Sequence, residues 1–205
     1  SLGFTADRQV VFGPADLRTI VEIGGAEIPV YGLNKQRKQD QAGAYLLTRS
    51  FGPTTRSQTA GVEVVVEVST KNFVGLQVGN SVSGKVVAVH TVGDKATGNT
   101  TPIGSGQIVL STSKNSVHYK VLSKVKPGDS MKAYVRDRTE SINWSQVKTA
   151  IGIYNVLTKN GEITDQKYST NKDLHPRTSV AVTSKGQMHL MLNDGRRSGY
   201  AAGLT

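Results

Sequence analysis

The feature that most constrains the fold of this chain is an alternation of period two, carried by β-branched residues and interrupted by glycine. Leu17–Ile23 runs through Gly24-Gly25 into Ala26–Tyr31, which is the pattern of two antiparallel strands joined by a hairpin turn. Gly61–Val68 is β-branched almost throughout, which predicts a strand partly buried on both faces. Six further stretches carry strand patterns, namely Ser83–Thr91, Gln107–Ser111, Met131–Arg136, Ile151–Leu157, Thr178–Thr183 and Met188–Leu192.

Helical patterns are few. The apolar residues of Asn115–Val125 fall at i, i+4, i+5 and i+8, and Lys126–Asp129 (KPGD) ends the pattern. A weaker helical candidate is Trp144–Ala150, and Gly93–Gly106 is a polar stretch that predicts a surface loop. The chain is therefore expected to form a single β-rich α+β domain over residues 1–205, with mixed or antiparallel sheets and one or two short helices.

Composition excludes several classes of protein. Cysteine is absent, which excludes disulfide scaffolds, thiolate zinc sites and cysteine nucleophiles. No apolar stretch approaches the roughly 18 residues that a transmembrane helix needs. The net charge is +10, and residues 101–205 carry 15 Lys and Arg against 7 Asp and Glu. Such a surface attracts polyanions. Aromatic residues make up only 6% of the chain and no arginine-rich run occurs, so nucleic acid is not the expected partner.

Chemistry-bearing side chains are densest near the C-terminus. Two strand patterns flank the turn Ser184-Lys185-Gly186, so His175 and Arg177 are expected at the open end of a hairpin beside Asp194 and Arg196. An imidazole, a carboxylate and guanidinium groups in one place suit phosphate binding by arginine and proton transfer by His or Asp. The alternative is that these are solvated side chains at strand ends, with Asn-Asp-Gly an ordinary turn.

Two adjacent arginines, Arg196 and Arg197, cannot point the same way in an extended segment. Arg196 is therefore expected in the site and Arg197 in solvent.

This C-terminal stretch resembles a signature of the phosphodiester glycosidase family. The resemblance is carried by Pro176–Thr178, Asp194–Arg196 and Gly203–Thr205. Weaker matches follow the family's order upstream, at Ser1–Gly13, Gly32–Arg37, Tyr45–Thr48, Phe51–Arg56, Gly61–Val66, Ile103–Leu110, Lys126–Asp129 and Ala150–Leu157.

Two pieces of the family pattern are absent from this sequence. One is an N-terminal Asn-Gly-x-Phe-Phe segment and the other a C-terminal Asp-Gly-Gly-Gly-Ser segment, both of which the resemblance places at the active site. The sequence is therefore expected to be a partial domain, either a fragment of a longer polypeptide or a shortened relative.

The resemblance implies a hydrolase of secreted or cell-envelope location that cleaves a sugar from a sugar-phosphodiester linkage in envelope or secreted glycans. Its partner would be an anionic, phosphate-containing glycan. The alternative is a non-catalytic carbohydrate-binding, envelope-binding or structural module of the same fold. No metal-ligand spacing occurs within the sequence itself, and a divalent cation is left open as a cofactor. The oligomeric state is not predicted.

The resemblance also implies the site residues. The catalytic candidates are Asp194, His175 and Glu63, and the candidates for binding sugar or phosphate are Arg177, Thr178, Arg196, Asn34, Arg37, Thr54 and Thr55. Glu63 lies in an otherwise apolar strand, where an inward carboxylate needs a partner or a function. The alternative is an outward-facing residue on the face of Glu67. Thr55 and Arg56 could equally form a turn after Pro53.

Overall fold

The computed structural model describes residues 1–38, 43–69, 76–93, 101–140, 142–153, 155–164 and 174–204. The chain divides into two compact units. One comprises Ser1–Ala15 with Ser141–Thr205, and the other, called the barrel unit here, comprises Asp16–Glu140. No helix within the described residues is both long enough and apolar enough to cross a membrane.

Strands dominate both units, which confirms the β-rich prediction with mixed and antiparallel sheets. The described strands are β1 (Leu2–Thr5), β2 (Val10–Phe12), β3 (Leu17–Ile23), β4 (Ala26–Leu33), β5 (Ala44–Thr48), β6 (Gly61–Val68), β7 (Ser81–Val92), β8 (Gln107–Ser113), β9 (Ser130–Asp137), β10 (Val147–Ile151), β11 (Thr158–Lys159), β12 (Glu162–Ile163), β13 (Arg177–Val182) and β14 (Met188–Asn193). Helix α1 spans Tyr119–Leu122, and a 3₁₀ helix spans Trp144–Gln146.

The barrel unit is a closed barrel with the strand order β3-β4-β5-β8-β6-β7-β9. Its neighbours are antiparallel except for β4 and β5, which run parallel. Alternation sends one face of each strand inward, where Val21, Leu46, Val64 and Ile108 are fully buried. Closure leaves no strand of this sheet with an unpaired edge.

Helix α1 is shorter than the predicted Asn115–Val125. Leu122 and Val125 insert into the barrel core, whereas Val117 at the start of the predicted helix is 78% exposed. The first predicted turn therefore has no apolar partner to offset the entropy of ordering it.

A second apolar cluster lies on the outer side of the barrel. Leu47, Val65 and Val109 pack there against Ile103. Residues 94–100 of the predicted surface loop Gly93–Gly106 lie outside the described residues. Thr101 and Ile103 are buried, so the predicted surface exposure is wrong at these two residues, because Ile103 covers the outward side chains of three strands.

In the other unit β1 pairs with β2 and with β10, both antiparallel. Trp144 is buried and its indole Nε1 donates to the Pro14 carbonyl at 3.0 Å. Among the described residues the predicted helix Trp144–Ala150 is reduced to the 3₁₀ helix Trp144–Gln146, and of the predicted strand Ile151–Leu157 only Ile151 lies in a strand. The β-branched residues of VKTAI alternate, and pairing with β1 extends them into a strand that ends at Ile151.

Candidate functional site

The C-terminal hairpin supplies one group of candidate residues. β13 and β14 pair from Arg177 opposite Asn193 to Val182 opposite Met188, and the turn that contains Lys185 closes the other end. This confirms the predicted hairpin and brings the segment before β13 beside the segment after β14. His175 and Asp194 therefore lie at the same open end.

The segment after β14 folds back along His175. The His175 backbone N–H donates to the Leu204 carbonyl at 3.0 Å, and the Leu204 N–H returns to the His175 carbonyl at 2.9 Å. A Cβ on Gly203 would lie 2.5 Å from the His175 oxygen, and a Cβ on Gly195 would lie 2.6 Å from the Pro176 nitrogen. Two backbones meet here more closely than any side chain would permit, which is the physical reason for glycine in the DGR and GLT stretches.

The side chains at this end form two pairs. The Arg196 Nη2 lies 3.2 Å from the His175 Nε2, and the Arg197 Nη1 lies 3.4 Å from the Asp194 Oδ2. A guanidinium has no acceptor atom, so a hydrogen bond between them runs from the Arg196 Nη2 to the His175 Nε2. The Arg197 guanidinium also lies 5.1 Å from the centre of the Tyr200 ring. We call His175, Arg177, Asp194, Arg196 and Arg197 the C-terminal cluster.

Arg196 and Arg197 point in different directions because the backbone is not extended at Arg196. Arg196 has φ +56°, a left-handed conformation that reverses the chain within one residue. Its N–H donates to the Ala202 carbonyl at 3.2 Å, and the Arg197 N–H donates to the Ala201 carbonyl at 3.0 Å. The backbone of the returning segment therefore holds Arg196 over His175 and Arg197 over Asp194.

The charge of this cluster is unbalanced. Among the described residues neither Arg177 nor Arg196 has a carboxylate within 4.0 Å, and both side chains are exposed, as is that of Thr178 on β13. Exposed guanidinium groups without a carboxylate partner are available for a phosphate oxygen. The half-buried His175 imidazole beside them can donate or accept a proton.

The barrel unit holds the other candidates, and three of them, Glu63, Arg37 and Thr55, belong to a buried network around Glu63. Its Oε2 accepts from the Thr55 hydroxyl at 3.0 Å, and its Oε1 accepts from the hydroxyls of Ser57 at 2.5 Å and Ser111 at 3.0 Å. The Arg37 Nε donates to the same Ser111 hydroxyl at 3.0 Å. Glu63 and Arg37 are both fully buried. We call these five residues the buried network.

Glu63 alternates with the barrel-core residues Val62 and Val64, so its side chain leaves the outer side of β6. It shares that face with Glu67, which is exposed. The alternative interpretation, an outward-facing Glu63, therefore gives the direction of the side chain correctly. The side chain is nonetheless buried, because the segment that carries Thr55 and Ser57 covers it.

Asn34 and Thr54 make contacts that hold parts of the backbone together. Asn34 has φ +51°, and its Oδ1 accepts from the Thr48 N–H at 2.8 Å and from the Thr48 hydroxyl at 3.1 Å. Thr54 forms an isolated bridge with Pro102. The Asn34 contacts join a loop to β5, and the Thr54 bridge joins two segments that lie outside the strands.

Several partners could not be found by sequence reasoning. Ser57, Thr59 and Ser111 hold Glu63 or Arg37, and Arg197 holds Asp194. Ser and Thr are too frequent in the chain to signal such contacts. The cross-strand register of Glu63 with Ser111 follows only from the barrel topology.

Within the described residues no group of three His, Asp or Glu side chains is placed to hold a metal ion. The divalent cation therefore stays an open alternative.

Comparison with known proteins gives one family and one fold. The family model described as phosphodiester glycosidase matches residues 80–205, a segment that contains the C-terminal cluster. A hypothetical protein from Synechocystis of known crystal structure superposes with a TM-score of 0.69 at 19% sequence identity, over 100% of this chain and 35% of that chain. This likeness shows the fold, and the chain spans about a third of that protein's length. No curated protein matches the chain.

Proposed function

The chain belongs to the phosphodiester glycosidase family, and from that premise we propose that it hydrolyses the bond between a sugar and the phosphate of a sugar-phosphodiester, at the C-terminal cluster. The observation that carries the proposal is the pair of exposed guanidinium groups, Arg177 and Arg196, that have no carboxylate partner among the described residues. Both lie in the matched segment, at the end of the hairpin that also carries His175 and Asp194, and the Arg196 Nη2 lies 3.2 Å from the His175 Nε2.

The proposed reaction breaks the bond between C1 of the sugar and the phosphate oxygen. Water adds to C1, the sugar leaves as a hemiacetal, and the phosphate keeps the bonding electrons as a monoester. Phosphate is a good leaving group, so the barrier lies mostly in the positive charge that develops at C1. Arg177 and Arg196 would stabilise the charge that collects on the departing phosphate.

Asp194 is assigned the role of the carboxylate that positions the attacking water. Its one described ionic contact is with Arg197 at 3.4 Å, and its side chain is 59% exposed, so an oxygen is accessible to position the attacking water. His175 is assigned the role of the base that takes the proton from the attacking water, since a neutral imidazole has one acceptor nitrogen. Arg196 occupies that nitrogen here, so this step requires the Arg196 side chain to turn toward the phosphate.

A second candidate function is a module that binds the same sugar-phosphate without cleaving it. It is favoured by the saturation of Glu63, whose two oxygens already accept three hydroxyl hydrogen bonds in a fully buried position. Asp194 is then the one candidate carboxylate named above that a substrate can reach. We further propose that the substrate belongs to secreted or envelope glycans.

The test is release of reducing sugar from a panel of UDP-hexoses and UDP-N-acetylhexosamines by the intact chain. Arg177→Ala and Arg196→Ala should each lower kcat/KM by about 100-fold, the effect of removing a donor that stabilises developing charge. The matched control is Lys185→Ala, which removes an exposed cation at the opposite end of the same hairpin and should change kcat/KM less than twofold.

Two other outcomes decide between the candidates. Binding of a UDP-sugar without turnover, lost in Arg177→Ala and Arg196→Ala, would establish the binding module. Turnover or binding that survives both substitutions would remove the C-terminal cluster from consideration.

A further inference from the structure

A groove of about 740 Å³ opens in the barrel unit, around the turn between β3 and β4 and beside β7 and β9. Ile23 and Met131, both of the barrel core, border it with only 2% of their surface exposed, and the backbone of Gly24 and Gly25 forms one wall. Small-molecule sites have volumes of roughly 300–1,000 Å³. The groove is therefore large enough for a short oligosaccharide.

Its polar side chains alternate donors and acceptors across adjacent strands. Lys132 lies opposite Glu22 on one side and Ser83 on the other, and Lys85 lies opposite Ser130. The Lys85 Nζ donates to the Ser130 hydroxyl at 2.8 Å. All five residues line the groove. Ammonium, hydroxyl and carboxylate groups in neighbouring rows match the mixed donors and acceptors of sugar hydroxyls.

The lining holds two lysines and two glutamates, and Arg136, which pairs with Glu27 from outside the lining, adds one further positive charge. Glu27, the other carboxylate of the groove, is held by the Arg136 Nη2 at 2.7 Å and by the Tyr134 hydroxyl at 3.2 Å. Lys85 and Lys132 are exposed, and neither has a carboxylate within 4.0 Å among the described residues. Both ammonium groups are thus available to an anion.

The charged surface continues onto α1. A Cβ on Gly24 would lie 3.3 Å from Val125 and 3.4 Å from Val121, so the glycine wall of the groove adjoins the end of this helix. Residues 114–132 contain five lysines and one acidic residue, Asp129. Asp129 accepts from the Lys126 N–H at 2.9 Å. Lys120, Lys124 and Lys126 are exposed on this side of the barrel unit.

We propose that the groove and these lysines form an accessory binding site for an anionic oligosaccharide, with one sugar seated between Lys85 and Lys132 and the chain continuing over Lys120 and Lys124. The site shares no residue with the C-terminal cluster. The proposal goes beyond the proposed hydrolysis, because it requires binding of a charged glycan and no turnover.

The test is isothermal titration calorimetry of the intact chain with a sulfated heparin hexasaccharide, with neutral maltohexaose and with inorganic phosphate. The sulfated hexasaccharide should bind at least tenfold more tightly than either other probe. The double variant Lys85→Ala/Lys132→Ala should bind the sulfated hexasaccharide about tenfold or more weakly, because each substitution removes a charge-assisted hydrogen bond.

The matched control is Lys35→Ala/Lys38→Ala, which removes the same charge from the same unit. Lys35 and Lys38 follow β4 at the end opposite the Gly24-Gly25 turn, and about eight strand residues span roughly 26 Å. The control should keep binding within twofold.

Equal weakening by both double variants would show that only net charge matters and would overturn the site. Phosphate binding as tight as that of the hexasaccharide would overturn the oligosaccharide assignment. Unchanged release of reducing sugar in Lys85→Ala/Lys132→Ala separates this site from the proposed hydrolytic one.

Discussion

Glu63→Gln tests whether the buried network is structural or catalytic. The substitution keeps the shape of the side chain and replaces one carboxylate oxygen by an amide NH₂. Three hydroxyl groups, those of Thr55, Ser57 and Ser111, now donate to the carboxylate at 2.5–3.0 Å. In the variant, whichever hydroxyl groups face the NH₂ have to turn and accept.

That turn is costly because two of these hydroxyls already accept. The Thr55 oxygen accepts from the Thr101 N–H at 3.1 Å, and the Ser111 oxygen accepts from the Arg37 Nε at 3.0 Å. A hydrogen bond to a charged group contributes about 1.5–3 kcal/mol and one between neutral groups about 1 kcal/mol. A loss of about 1 kcal/mol at each of three bonds lowers the free energy of unfolding by about 3 kcal/mol. Arg37 also loses the negative charge nearest to it in the network.

The assay is urea unfolding followed by far-UV circular dichroism. With an m-value of about 2 kcal/mol per molar urea, the midpoint should fall by about 1.5 M. The control is Glu67→Gln on the same face of the same strand, where the side chain is exposed and the change should stay within about 0.5 kcal/mol. A Glu63→Gln variant of undiminished stability that loses all turnover would refute the structural assignment and restore Glu63 as a catalytic candidate.

Two smaller predictions test other parts of the chain. Gly203→Ala should separate the returning segment from His175, because φ at Gly203 is +110° and the new Cβ would lie 2.5 Å from the His175 carbonyl oxygen. NMR should show that the Leu204 amide loses its protection from hydrogen exchange. The control is Gly186→Ala, where a Cβ has open space and the Leu204 amide should stay protected. Hydrogen bonds from Arg136 and then Tyr134 lower the pKa of Glu27 from its usual 4.5, so this group stabilises the fold above that pH and the contribution is lost as pH falls through the lower folded pKa. NMR titration should find that Arg136→Ala raises the Glu27 pKa, and an unchanged pKa would contradict the assigned contacts.

Strand patterns in the sequence predict the barrel unit well because alternation and β-branching report burial directly. β3 and β6 begin and end where the pattern does, at Leu17–Ile23 and Gly61–Val68. Closure into a barrel was not predictable, since the pairing of β4 with β5 and of β5 with β8 joins segments whose contacts no local pattern records. Over residues 144–151 the prediction was wrong because a lone tryptophan suggested a helix, whereas the alternating residues after it pair with β1.

The candidate site was predictable only where the chain turns back on itself. His175 and Arg196 meet because one hairpin and its glycine-rich return bring them together, and both the turn and the glycines are visible in the sequence. The partners of Glu63 come from β8 and from the segment before β6. These partners could not be predicted from the sequence, because no local pattern marks the Ser and Thr residues that contact Glu63 and the contacts depend on the tertiary structure.

The two carboxylates of the hypothesis thus have opposite surroundings, and this difference assigns their roles. Glu63 has no exposed surface and accepts three hydrogen bonds, so these hydrogen bonds stabilise the fold and its oxygens cannot reach a sugar. Asp194 is 59% exposed and is held by one arginine at 3.4 Å, an ion pair of little value to stability. Asp194→Asn should therefore keep the free energy of unfolding within about 0.5 kcal/mol and abolish turnover, the reverse of Glu63→Gln. If Asp194→Asn unfolds the chain instead, the Asp194–Arg197 pair is structural and the proposed carboxylate role fails.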